Sequence, residues 1–204
     1  MDCVKIGKLI AELRKEKKLT QRNIADALGI QNKTVSKWEC GLGCPDLSLW
    51  PELTTIFGVD MKQMMEGEIT SNKPDSGNID KVRFYVCPTC GNILVTTGSA
   101  SIFCCGRKLE RILPIDTLTA PKITVEEIDT DYFVTIDHPM NKEHYLSFAA
   151  YVKSDRIYFN RLYPEQSPTS RFPITKGGKL YVYCIKHGLM SYSGIFMDSG
   201  YNNQ

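Results

Sequence analysis

Apolar side chains recur at helical spacing through the first seventy residues. The i, i+3, i+4, i+7 pattern of an amphipathic helix is formed by Ile6, Leu9, Ile10 and Leu13. Capping residues, proline and glycine indicate further helix starts and ends. In chain order these residues are Thr20, Gly29, Pro51, Gly58 and Asp60. The pattern predicts five helices over residues 1–68, the third spanning about residues 32–39.

After Pro121 the pattern changes to short runs of aromatic and β-branched residues at 132–136, 145–152, 157–163 and 180–185. These runs predict a small antiparallel β-sandwich of the immunoglobulin-like kind. Alternation along the last run places Tyr181 and Tyr183 away from Cys184, on an exposed sheet surface. The polar residues 69–81 predict a linker. The fold class is therefore multidomain α + β.

Composition fits a soluble globular protein, with 42% hydrophobic and 24% charged residues. No stretch approaches the roughly 18 apolar residues of a membrane helix. The N-terminus shows no apolar signal region, so we expect a cytoplasmic location. The net charge is only +2, but residues 1–40 carry nine Lys and Arg against five Asp and Glu. Such a basic end suits docking on a phosphate backbone.

Two predicted helices joined at 29–31 form a helix-turn-helix unit. The chain resembles the Cro/phage-repressor (XRE-type) DNA-binding domain in six short segments. They are residues 19–21, 24–25, 28–30, 34–39, 45–46 and 57–59. The resemblance implies that the protein binds double-stranded DNA as a homodimer. It assigns the contacts to Gln21, Arg22, Gln31, Asn32, Lys33, Thr34, Ser36 and Lys37. Gln31 and Asn23 replace the usual capping residues, so we expect weakened starts for the second and third helices.

Eight cysteines in a chain without an export signal are expected to stay reduced, so clustered thiols indicate metal ligands. One cluster is Cys87, Cys90, Cys104 and Cys105. Four thiolates suit zinc or iron. The residues from Phe84 to Ile93, with 104–106 and Leu109, resemble the desulforedoxin-like domain of desulfoferrodoxins. That resemblance implies one iron at residues 82–115, with a structural zinc knuckle as the alternative.

All three histidines lie in two late motifs, His138–His144 and Cys184–His187, the second at CxxH spacing. These motifs resemble the superoxide reductase domain, here residues 116–204. The resemblance implies Fe(II) held by His138, His144 and His187, with Cys184 as the axial thiolate. The family's fourth histidine is missing, because Thr119-Ala120-Pro121 stands at its place. Zinc could occupy the same donors.

The leading hypothesis is a transcriptional regulator whose metal module senses redox state, reactive oxygen or metal. The alternative is a superoxide reductase-type enzyme tethered to a DNA-binding domain. We assign no catalytic residue and lean against enzyme activity, because the fourth histidine is absent. A third hypothesis gives both metals a purely structural role. The remaining thiols, Cys3, Cys40 and Cys44, are expected to be reduced and without a function. The alternative is a redox role for Cys40 and Cys44, which flank the loop after the third helix.

Overall fold

A computed structural model describes residues 1–74, 77, 81–115 and 120–196. The chain divides into two compact units, Met1–Asn72 and Lys73–Gln204. Their boundary falls within the predicted linker. Among the described residues, no helix combines the length and apolar character needed to cross a bilayer.

The first unit contains the five predicted helices. They are α1 (Cys3–Glu16), α2 (Gln21–Ala27), α3 (Asn32–Glu39), α4 (Trp50–Phe57) and α5 (Met61–Glu66), with a 3₁₀ turn at Leu47–Leu49. Asp2, Thr20 and Asp60 cap α1, α2 and α5 with side-chain oxygens. Gly58 ends α4 in the left-handed conformation that its missing side chain allows.

The expectation of a weak start for α2 is wrong. The Asn23 side-chain oxygen accepts a hydrogen bond from the Thr20 amide at 2.8 Å, and the Asn23 amide donates to the Thr20 hydroxyl at 3.1 Å. Asn23 therefore completes the reciprocal capping box, a role usually taken by Glu or Gln. Gln31 makes no side-chain capping bond, so α3 begins without the cap that Ser or Thr would supply.

The helices enclose one apolar core, which includes Ile10, Ile24, Val35, Trp50 and Leu53. Helix α1 lies directly against the end of α3. A Cβ atom at Gly7 would stand 1.9 Å from the Trp38 carbonyl oxygen, so any larger residue there would separate the two helices.

A second prediction about this unit, concerning its cysteines, is also wrong. Cys3 and Cys44 are joined by a disulfide and are not free thiols. The physical reason is proximity. The fold brings the start of α1 and the loop after α3 together, so that the two Cα atoms lie 5.0 Å apart. The sequence separation of 41 residues conceals this contact.

The described residues of the second unit form eleven strands. They are β1 (Arg83–Val86), β2 (Ile93–Thr96), β3 (Ile102–Cys104), β4 (Arg107–Leu109), β5 (Ile123–Ile128), β6 (Asp131–Ile136), β7 (Leu146–Lys153), β8 (Arg156–Arg161), β9 (Thr169–Pro173), β10 (Lys179–Cys184) and β11 (Gly188–Ser193). Two antiparallel sheets, ordered β11-β10-β7-β8 and β5-β6-β9, contribute to a common core, which confirms the predicted sandwich. Two separate hairpins, β1–β2 and β3–β4, precede it.

The sandwich is covered on its outer face by β1. Phe84 stacks on Phe148 with 5.2 Å between ring centroids and lies the same distance from Tyr181. The prediction that Tyr181 and Tyr183 form exposed sheet surface is therefore wrong, because both pack in the cluster around Phe84. This covering also explains why seven of the eight residues of β7 are buried.

Candidate metal centres and nucleic-acid interface

The four predicted thiols of the first metal group converge. The sulfur atoms of Cys87, Cys90, Cys104 and Cys105 all lie within 4.8 Å of one another. Cys87 follows β1 and Cys90 lies in the next turn, whereas Cys104 ends β3. Cys105 has a φ of +50° and Gly106 a φ of +73°. This left-handed turn lets two adjacent cysteine side chains reach the same point, a conformation that the sequence does not reveal.

The surroundings of this group favour the thiolate form of Cys87 and oppose that of Cys105. Backbone hydrogen bonding from Cys90, and then from Thr89, outweighs burial and lowers the pKa of Cys87 from 9.0 to about 6. Hydrogen bonding with the Cys90 and Cys87 sulfurs raises the pKa of Cys105 to about 12. Only a cation placed among the four sulfurs would hold all of them as thiolates. The donor set therefore fits a thiophilic metal ion such as iron or zinc.

The second predicted group also converges. One ligand atom from each of His138, His144, Cys184 and His187 lies within 4.8 Å of the others. His138 follows β6, His144 precedes β7, Cys184 ends β10 and His187 lies in the turn before β11. Ring centroids are 4.6 Å apart for His138–His144 and for His144–His187. Strand ends from both sheets thus bring together residues up to 49 positions apart.

The histidines of this group are prepared as metal ligands. The Nδ1 atom of His138 lies 2.6 Å from the Pro139 carbonyl oxygen, which can only accept, so Nδ1 carries the proton and Nε2 has a free lone pair. The buried Nε2 atoms of His138 and His144 have no hydrogen-bond partner. Burial lowers the pKa of both rings, which favours the neutral form that binds metal. The residues present therefore fit a metal ion.

The thiol of this group is buried and has a backbone hydrogen-bond donor. Cys184 is fully buried, and the Lys186 amide donates to its sulfur at 3.4 Å. No fourth imidazole can join, since the chain has only three histidines. In the segment Thr119-Ala120-Pro121, which stands where the fourth histidine was expected, Thr119 lies outside the described residues. Ala120 is exposed and the Pro121 carbonyl accepts a bond from Tyr192.

Five of the eight predicted DNA-contact residues are exposed to solvent. Val35 and Trp38 anchor α3 in the core, and the opposite side of that helix faces solvent. Exposed members of the set are Arg22, Gln31, Asn32, Lys33 and Lys37. Thr34 and Ser36 are half-buried beside them. The exposed set combines cationic and amide side chains, the groups that contact phosphates and base edges.

Gln21 differs from the others. Its side-chain amide donates to Glu39 at 2.8 Å, and Glu39 also accepts two hydrogen bonds from Arg14, at 2.6 and 3.0 Å. Burial alone would raise the pKa of Glu39, but the hydrogen bonds from Arg14 and Gln21 together lower it. This network ties α1, α2 and α3 together. Sequence reasoning missed Arg14 and Glu39, because charged residues give no periodicity signal for a buried pair.

Comparisons with known proteins find relatives for both the helical unit and the region that holds the metal-ligating groups. Residues 10–63 match a helix-turn-helix family model. The chain is 30% identical over 80 residues to the HTH-type transcriptional activator BcrR of Enterococcus faecalis, covering 38% of this chain and 39% of that protein. It is 36% identical over 59 residues to the uncharacterized HTH-type regulator YqaE of Bacillus subtilis, covering 29% and 51%. It thus spans about half or less of each regulator.

A desulfoferrodoxin of Clostridium acetobutylicum is 28% identical over 113 residues, which cover 52% of this chain and 90% of the relative. The superoxide reductase of Treponema pallidum is a structural neighbour with a TM-score of 0.48 and 20% identity, covering 55% of this chain and 97% of that protein. The chain therefore has an N-terminal part that matches a helix-turn-helix family model and a C-terminal region similar to a desulfoferrodoxin.

Proposed function

We propose that the protein is a DNA-binding transcriptional regulator whose C-terminal metal module responds to redox state, reactive oxygen or metal supply. The observation that carries the proposal is the presence, in one chain, of an exposed recognition surface on α3 and two converged groups of metal-ligating side chains. A regulator needs a part that binds DNA and a part that changes with the signal.

The DNA-binding step rests on α3. Lys33, Lys37 and Arg22 would contact phosphates or guanine, whereas Asn32 and Gln31 have amides suited to adenine. Thr34 and Ser36 would lie beside the bases. Gln21, the first residue of α2, would lie against the DNA backbone. We further propose a homodimer that reads paired half-sites, and a cytoplasmic location where DNA is accessible.

The metal at both groups is proposed to be iron, as the similarity to desulfoferrodoxin indicates. Cys87, Cys90, Cys104 and Cys105 would hold one ion, and His138, His144, His187 and Cys184 would hold the other. Iron would supply one-electron chemistry, which zinc lacks. The Pro139 carbonyl oxygen would keep the proton of His138 on Nδ1 and leave Nε2 for the ion, and Cys184 would bind it from the buried side, whereas His187 is exposed.

DNA affinity tests the proposal directly. The operator would first be selected from a random duplex pool, and its affinity then measured for reduced, oxidised and metal-free protein. We expect at least one state to differ by roughly fivefold or more, the range of ordinary allosteric coupling. Equal affinities in all three states would eliminate the sensing role. Lys33→Ala should lower the salt slope of DNA binding by about 1, whereas Lys62→Ala, in the acidic part of the unit, should not.

A superoxide reductase-type activity is the second candidate. The alignment over 90% of a desulfoferrodoxin and the convergence of the second group favour it. The three-histidine count argues against efficient turnover. Rapid mixing of iron-loaded protein with superoxide decides between a regulator and a superoxide reductase-type enzyme. Fast stoichiometric consumption of superoxide would place the enzyme first, whereas a rate equal to that of metal-free protein would eliminate it.

A further inference from the structure

The Cys3–Cys44 disulfide belongs to neither metal group. Five of the remaining six cysteines belong to those groups, and the sixth, Cys40, is exposed at the end of α3. The disulfide joins the first residue of α1 to the loop 40–46 that follows α3. It therefore lies within the helix-turn-helix unit, next to the helix proposed to read DNA.

The loop 40–46 is attached to α3 by backbone hydrogen bonds. The Gly41 amide donates to the Trp38 carbonyl and the Leu42 amide to the Lys37 carbonyl, each at 2.9 Å. Gly41, with a φ of +72°, packs on the first turn of α1, where a Cβ atom would lie 3.1 Å from the Val4 Cα. A change at Cys3 or Cys44 thus acts on a segment bonded to the last turn of the recognition helix.

The part of this loop before Cys44 has little apolar burial, whereas Pro45 is buried and Cys44 packs against the core of the unit. Leu42 is 76% exposed and Leu47, just beyond the loop, is 69% exposed. Cys3 and Cys44 are themselves only half-buried, so small thiols can approach them. Segments with few buried contacts open locally at low free-energy cost. The disulfide is therefore the main covalent restraint on the loop, and it lies within reach of solvent.

We propose that Cys3 and Cys44 form a reversible redox site that exchanges with low-molecular-weight thiols and controls the loop after α3. A small thiolate attacks one sulfur, the Cys3–Cys44 bond breaks, and a mixed disulfide forms with release of one protein thiolate. A second small thiolate then displaces the protein sulfur. Overall, two small thiols become one small disulfide, and the protein gains two thiols.

Reduction would release the loop from α1 and weaken the positioning of α3 on DNA. This response goes beyond the proposed metal sensing, because it acts in the other unit and needs no metal. Disulfides that form in reducing compartments are usually transient or redox-sensing, which fits a proposed DNA-binding protein better than a permanent crosslink.

The test equilibrates the full-length protein in buffers of graded glutathione to glutathione disulfide ratio. Differential alkylation with mass spectrometry reports the state of Cys3 and Cys44, and amide hydrogen exchange reports the loop. We expect the pair to pass from linked to reduced across the series. Exchange at Gly41 and Leu42 should become about tenfold faster, and that at Ile24 should hardly change. The reduced protein should bind its selected duplex about threefold more weakly.

Matched variants make the result specific. The double variant Cys3→Ser/Cys44→Ser should show fast loop exchange in every buffer, whereas Cys40→Ser should retain the transition. The proposal is overturned if the pair stays linked in the most reducing buffer, if both thiols are alkylated in the most oxidising one, or if the transition leaves loop exchange unchanged. Since these readouts need no DNA, they are independent of the proposed DNA binding.

Discussion

The two metal groups are built on different supports. The four-cysteine group lies on two short hairpins whose own buried cluster contains only Tyr85, Cys87 and Leu109. The three-histidine group lies at the strand ends of a sandwich whose described part contains thirteen buried core residues. A fold with a small core depends on its metal, whereas a fold with a large core can place ligands without one. Metal loss should therefore unfold the hairpins that hold the four-cysteine group and leave the sandwich that holds the three-histidine group folded.

The largest expected effect follows from Cys90→Ser. It removes one of four thiolates from the group with the smaller core, so metal at that group and protection of the hairpin amides should both be lost, with at least a 100-fold fall in metal affinity. Elemental analysis and hydrogen exchange measure the two losses. The exposed Cys40→Ser is the control. A Cys90→Ser protein that keeps full metal content would contradict the assignment.

His144→Ala should lose the other metal and keep its fold. Of the four ligands only Cys184 belongs to the described sandwich core, and His144 does not, so the unit should remain cooperatively folded while its metal content falls by one ion per chain. Metal analysis with thermal unfolding monitors both quantities, and Glu143→Gln, an exposed neighbour, is the matched control. Unfolding of the sandwich on this substitution would show that its stability depends on the metal as well.

Phe84→Ala tests the contact between the hairpins and the sandwich. Phe84 is almost completely buried and stacks on Phe148, so its truncation should cost about 3–5 kcal/mol of unfolding free energy. Phe103→Ala, at a side chain 61% exposed, should change stability by less than about 0.5 kcal/mol. Denaturant unfolding measures the unfolding free energy of both variants against the wild type. Equal effects would mean that the Phe84 contact contributes nothing.

The smallest expected effect concerns the first unit, which lacks metal groups among its described residues. Glu39→Gln breaks a pair whose side chains are 16% and 8% exposed, so it should cost roughly 3 kcal/mol. Asp26→Asn, in an exposed pair with Arg22, should cost under about 0.5 kcal/mol.

The Glu39 effect should depend on pH in one direction. The folded pKa of Glu39 is lowered, so its contribution to stability is present above the unfolded value of about 4.3. It is lost as the pH falls through the folded pKa. The difference between wild type and Glu39→Gln should therefore shrink in acid. A difference that grows in acid would contradict the lowered pKa.

The sequence predicted what local patterns encode. Helix starts at Thr20 and Asp60, the inward position of Trp38 and the four-cysteine group followed from spacing and residue type. The three-histidine group followed from the resemblance to superoxide reductases. Contacts between distant segments did not. The Cys3–Cys44 disulfide, the Arg14–Glu39 pair and the covering of Tyr181 by Phe84 all join residues at least 25 positions apart. The Cys105 conformation was also missed, because a positive φ at a non-glycine residue has no reliable sequence signal.

The most direct test of the two-centre account is the metal content of freshly purified protein, read together with its optical spectrum. We expect two metal ions per chain, with Cys90→Ser and His144→Ala each retaining one, and a coloured four-thiolate iron centre that disappears only in Cys90→Ser. A single ion per chain that His144→Ala leaves in place would contradict it, because His138, His144, Cys184 and His187 would then bind no metal.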